Sequence, residues 1–178
     1  SDFWSRVRAD DPRFLAISDR LTAKPDWKRR AIPYMIHGDG GTFTTTGESL
    51  MVVSMKCLLS FSFAAGAIIP LWTCVKSCKV SPPEFPKNTF WMQWDVLVNL
   101  FNSGFNGEHA PLQHDLVPWP PNTFEFVHAG KRFLNGDYFL VLWSLPADLE
   151  YYGNELRLSH HNSNYPCDFC PACRDSTS

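Results

Sequence analysis

Apolar residues fall into short runs separated by polar, glycine-rich and proline-rich stretches. The first run, residues 31–37 (Ala-Ile-Pro-Tyr-Met-Ile-His), predicts a buried strand, which Gly38-Asp39-Gly40-Gly41 would end in a sharp turn. Three glycines around one aspartate supply the backbone freedom that such a turn demands. Residues 50–59 and 67–75, rich in Val, Ile, Leu and Met, predict two further strands. Their connection around Ala64-Ala65-Gly66 is short enough for a hairpin, so the first three strands read as a meander. Ahead of them, residues 1–30 are polar and charged with scattered aromatics, and predict a short helix or arm around Pro12–Thr22.

Pro82, Pro83 and Pro86 form a break. Beyond it Phe90, Trp91, Trp94, Leu97, Val98 and Phe101 recur at helical spacing, with Asn88 or Thr89 to cap the start and Gly104 or Gly107 to stop the end. Residues 105–130 read as a loop, because Pro118-Trp119-Pro120-Pro121 excludes regular structure. A strongly apolar strand follows at 138–144, and Pro146 then opens a helix reaching about Leu158. From Ser159 the chain reads as a loop carrying two histidines and three cysteines, with no internal repeat or low-complexity tract anywhere.

The predicted order is strand, strand, strand, helix, strand, helix. This is an α/β chain, and the order matches the opening of an RNase H-like topology. A right-handed crossover would bring the first and fourth strands side by side and parallel. The expected organisation is a basic and aromatic arm over 1–30, a partial RNase H-like core over 31–158, and a cysteine-rich zinc-type segment over 159–178.

Composition narrows this picture. A chain of 178 residues can bury one real core, and 44% hydrophobic with 19% charged residues is a globular composition. Seven Trp and fourteen Phe imply a bulky core and flat surfaces for a partner. A net charge of -2 speaks against a free-standing DNA-binding module. Yet eight of the sixteen Lys and Arg lie in residues 1–30, Lys28, Arg29 and Arg30 among them, where they could touch phosphates. No apolar stretch at the start is long enough for a signal peptide, and without an initiator Met the chain is expected to begin inside a longer protein. Residues 50–75 are nearly all apolar or small, but Lys56 alone would cost roughly 2.5–3.5 kcal/mol at a bilayer centre. Ser54, Ser60, Ser62, Gly66 and Pro70 also interrupt the run, so two buried strands explain it better than a membrane span.

Candidate chemistry comes from carboxylates and thiols. Phosphodiester cleavage uses carboxylates that converge on two divalent ions roughly 3.5–4 Å apart. Asp39, ending the first strand, and Asp148, just past the fourth, would meet at one sheet edge if those strands pair. The competing readings are a turn aspartate bonding its own backbone and a helix-start aspartate favouring the macrodipole. Asp95, Asp137 and Glu150 read as solvated, and His37 as a hydrogen-bonded neighbour. Cys167, Cys170 and Cys173 have the spacing of a zinc knuckle, which His160 or His161 could complete. Their clustering favours metal in a reducing, intracellular compartment over a disulfide framework. Cys57, Cys74 and Cys78 read as core or loop residues, and none follows a strand in the manner of a cysteine nucleophile.

The run from Phe139 to Cys170 resembles the middle of CACTA-type and Plavaka-like cut-and-paste DDE transposases. It combines Phe-Leu-Val-Leu-Trp-Ser-Leu-Pro-Ala-Asp148 with a later Pro166-Cys167-x-x-Cys170. In those families a strand of this form carries the second catalytic Asp, and a Pro-Cys-x-x-Cys opens a zinc-stabilised insertion. Ile36-His37-Gly38-Asp39-Gly40 is similar, more loosely, to the strand bearing the first Asp. The His-Gly-Asp-Gly, together with His160-x-x-Ser163-x-x-Pro166-Cys167-x-x-Cys170, is also similar to transposon-like open reading frames of protist genomes. The resemblance implies Mg²⁺ or Mn²⁺ at Asp39 and Asp148, Zn²⁺ at Cys167, Cys170, Cys173 and His161, and transposon-end DNA as partner. It also implies a nuclear setting, a homo-oligomer in the full-length protein, and a third acid after the insertion. The chain ends at Ser178 with no candidate for that acid, so negligible strand cleavage is expected from it alone. The alternative expectation is a non-catalytic, zinc-stabilised module that binds protein or DNA.

Overall fold

The structure, a computed structural model, describes residues 3–42, 44–59, 68–78, 89–133 and 137–146. Along the chain these form α1 (Phe3–Arg6), α2 (Pro12–Thr22), α3 (Trp27–Arg30), β1 (Ala31–Thr42), β2 (Ser49–Cys57) and β3 (Ile68–Val75). A 3-10 turn at Lys76–Cys78 follows, then α4 (Thr89–Asn106), α5 (Phe124–His128) and β4 (Phe139–Ser144). The strands make one mixed sheet in the order β3-β2-β1-β4. β1 and β2 are antiparallel, β2 and β3 are antiparallel, and β1 runs parallel to β4 from Ala31↔Phe139 to Met35↔Ser144. The meander and the parallel fourth strand expected from the hydrophobic pattern are both present.

Side-chain alternation divides the core into two layers. On one face Tyr34, Ile36, Met51, Val53 and α4's Leu97 are buried together, flanked by Trp94, Phe101 and Leu140. On the other face Ala31, Phe139, Val141 and Trp143 are buried with Trp4 and Leu21, flanked by Phe14, Ile17 and Trp27. Each large side chain removed from water in this way contributes about 1.5–3 kcal/mol. The N-terminal segment is therefore a layer of the fold. Trp4 is 2% exposed, donates its indole N–H to the Ala31 carbonyl at 2.9 Å, and sits edge-on to Trp27 and Trp143.

Local chemistry sets the element ends. Asp11 caps α2 by accepting the Arg13 N–H at 2.9 Å, with Pro12 filling the first helical position. α4 stops at Gly107, which takes φ 77° and donates to the Gly104 carbonyl while Glu108 donates to that of Ser103. That pair of bonds is a Schellman cap, which requires the left-handed residue that glycine supplies. Gly104 lets the helix lie close on the sheet, since a Cβ there would stand 3.1 Å from Leu140 Cδ1. Pro33 lies in β1 just before the ladder with β2 begins at Tyr34, and Pro70 sits on the edge strand β3 at a register shift.

Three expectations are corrected. The Gly38–Gly41 stretch is no turn: it continues β1, pairing Gly38 with Val53, Asp39 with Val52, Gly40 with Met51 and Gly41 with Leu50. None of those glycines has positive φ, and the β-forming residues opposite supply the ladder. The reversal lies further on, where Gly47 takes φ 87° and donates to the Thr44 carbonyl, and Thr44 Oγ1 accepts the Glu48 N–H. Residues 105–130 contain helix α5, nucleated just past the proline run by Thr123, whose hydroxyl accepts the Phe126 N–H at 3.2 Å. Val98 is 51% exposed and lies off the buried stripe of Trp94, Leu97 and Phe101. The connection at 64–66, the helix expected after Pro146 and the whole cysteine segment lie outside the described residues. Among the described residues no helix is long and apolar enough to cross a membrane.

Candidate functional site

Because side chains alternate along a strand, His37, Asp39 and Gly41 share one face of β1 while Tyr34 and Ile36 face α4. Past Gly38 the strand is exposed from Asp39 to Thr42. His37, Asp39, Gly40, Gly41 and Thr42, with Leu50 and Val52 of β2, line an open hollow of about 400 Å³. His37 is half-buried, and its carbonyl accepts the Ser54 hydroxyl at 3.5 Å, a long contact that restrains the backbone more than the ring. Asp39 is exposed, and its Oδ1 accepts the N–H of Gly40 at 2.8 Å. Among the described residues no Lys or Arg forms an ion pair with it. The missing side chain at Gly40 also matters, since a Cβ there would meet Cε and Nζ of Lys76 at 3.5 Å.

Asp148, His160, His161, Cys167, Cys170 and Cys173 lie outside the described residues, as does Glu150. Because β1 and β4 are parallel neighbours, both strands point their C-terminal ends toward one sheet edge, the edge that carries Asp39. Among the described residues no group of three or more His, Cys, Asp or Glu stands close enough to hold a metal ion. Cys57 and Cys74 are half-buried free thiols and Cys78 is an exposed one, as their positions in strand and turn imply.

The basic N-terminal residues are largely engaged in the fold. Arg8 pairs with Asp10 at 2.6 Å, and Arg13 pairs with Asp11 at 2.7 Å while lying over Trp143. That guanidinium holds the Asp11 carboxyl down at about 2. Arg20 and Lys24 lie over Phe105, Lys24 also over Phe139, and burial there lowers the Lys24 ammonium below its ordinary value. Burial likewise raises the Tyr34 hydroxyl. Asp137, expected to be solvated, is bridged by Arg132 and by Arg30 at 3.6 Å, which ties α3 to the start of β4. Sequence reasoning also missed a cluster of His109, Phe124, His128 and Phe133, of which only Phe124 and His128 stand at a helical spacing.

No protein-family model, curated protein or solved structure matches the chain.

Proposed function

We propose that this chain carries the opening part of an RNase H-like nuclease core of the DDE transposase kind, with Asp39 and Asp148 contributing to one two-metal site. The observation that carries this reading is the parallel pairing of β1 with β4. Met35 faces Ser144, Asp39 stands four residues beyond Met35, and Asp148 stands four residues beyond Ser144. Both aspartates follow, in sequence, the paired segment of two parallel neighbouring strands, the arrangement from which carboxylates can converge on two divalent ions. The strand order β3-β2-β1-β4 and the crossover helix α4 support the RNase H-like assignment. An exposed Asp39 with no described cationic partner fits a group reserved for Mg²⁺ or Mn²⁺, which prefer oxygen ligands. Cys167, Cys170, Cys173 and His161 would hold Zn²⁺ in an adjoining segment. The substrate would be transposon-end DNA in the nucleus, bound by a homo-oligomer of the full-length protein.

The test is a titration with Mn²⁺, read as paramagnetic broadening of the amide signals of residues 37–42. Broadening in the wild type, lost in both Asp39→Asn and Asp148→Asn, is the expected result. Broadening that Asp148→Asn leaves unchanged would separate the two carboxylates and sink the shared site. A second reading, a non-catalytic interaction module, draws support from the exposed Leu116, Phe124, Phe126 and Val127.

A further inference from the structure

The excursion between α4 and β4 holds two histidines whose rings lie 5.4 Å apart, centre to centre, with planes inclined at 55°. Both residues are half-buried. His109 follows the cap of α4, and its main chain is clamped to the far side of the excursion. Its N–H donates to the Lys131 carbonyl at 2.8 Å, and its own carbonyl accepts the Gly130 N–H at 3.1 Å. His128 ends α5, and its Nδ1 lies 2.8 Å from the Phe124 carbonyl oxygen. A carbonyl can only accept, so Nδ1 carries the proton and donates, leaving the Nε2 lone pair free. Phe124, itself exposed, stacks on the His128 ring at 4.0 Å and meets His109 edge-on, as does Phe133. Among the described residues no protein group hydrogen-bonds to the ring nitrogens of His109.

We infer that His109 and His128 together bind a divalent transition-metal ion of the zinc class. A metal–nitrogen bond of about 2.0–2.1 Å and a tetrahedral angle put the centres of two ligating rings roughly 5.2 Å apart, which the observed separation matches. The bond from His128 Nδ1 to a main-chain carbonyl is the outer contact by which proteins fix the tautomer and orientation of a histidine ligand. Imidazole selects zinc, copper or nickel over magnesium and calcium, so this site takes a different class of ion from a pair of carboxylates. No third His, Cys, Asp or Glu completes the group among the described residues, so water or an incoming ligand fills the remaining positions. The ion would pin α5 to the segment behind α4. It would thereby hold the exposed aromatic residues of α5 in a fixed orientation.

The experiment is a Zn²⁺ titration of the full chain bearing Cys167→Ser, Cys170→Ser and Cys173→Ser, which removes competing thiolates. Long-range proton–nitrogen spectra follow each imidazole separately, so any ion taken by His160 or His161 is read on its own signals. The expected result is that His109 and His128 shift together along one saturating curve while the exposed His114 stays put. His128→Ala then leaves His109 unshifted, and His109→Ala leaves His128 unshifted. The hydrogen bonds at position 109 are main-chain bonds, so His109→Ala keeps the clamp. Rings that do not move under zinc, or that each shift after the other is removed, would overturn the inference.

Discussion

Two residues carry the clearest local tests. Asp11 caps α2 and accepts two hydrogen bonds from the Arg13 side chain, at 3.0 and 2.7 Å, which is why its carboxyl falls from the ordinary 3.8 to about 2. A depressed carboxyl stabilises the fold fully above its unfolded value and loses that contribution as pH falls through the folded one. The advantage of wild type over Asp11→Asn, which still caps but carries no charge, should therefore vanish between pH 3.8 and about 2 in urea denaturation. A gap that persists to the lowest pH would contradict the pairing. Gly107→Ala should cost about 1–3 kcal/mol, because alanine is strained at positive φ. Its Cβ would also stand 2.8 Å from the Tyr138 carbonyl oxygen. Glycine also shows where reading a sequence falls short. Gly38, Gly40 and Gly41 looked like punctuation, yet they lie in a ladder because Val53, Met51 and Leu50 face them. Gly47, with only Thr44 to announce it, makes the turn.

At the scale of elements, helices and strands whose apolar positions repeat were legible, and those fixed by capping or distant partners were less so. α2, α4, β2, β3 and β4 lie close to where the pattern puts them, whereas β1 runs on past its expected end to Thr42. α5 escaped because its start depends on one threonine hydroxyl after a proline run. The packing of α1 to α3 onto the sheet escaped because Trp4 finds its partners in Ala31 and Trp143, far along the chain. Trp4→Ala tests that packing: it should cost about 3–5 kcal/mol, as loss of a buried tryptophan does. Trp4→Phe should recover much of this while forfeiting the bond to the Ala31 carbonyl. Denaturant unfolding checks both, and a neutral Trp4→Ala would show that the N-terminal layer is dispensable.

For the whole molecule, the sheet order and the direction of β4 were readable from the pattern, and half of the proposed carboxylate site follows from them. The other half was not recoverable from periodicity, since Asp148 rests on its position a few residues past the fourth strand and on a local motif, and it lies outside the described residues. The zinc segment has the same standing, and metal analysis decides it. Purified protein should contain stoichiometric zinc that the Cys167→Ser, Cys170→Ser double variant loses. Zinc that survives that double substitution would point away from these thiols.

The contact between Trp4 and Trp143 bears on how the chain reaches its native state. The rings touch edge to face at 5.5 Å, although one opens the described chain and the other lies in its last strand. During synthesis the N-terminal helices emerge first, and their apolar sides stay uncovered until β4 arrives. Non-local pairing of this kind slows folding and prolongs exposure of sticky surface. Nascent chains released before Trp143 should therefore be poor folders that depend on chaperones, whereas a slightly longer chain closes the layer that α1 to α3 form on the sheet.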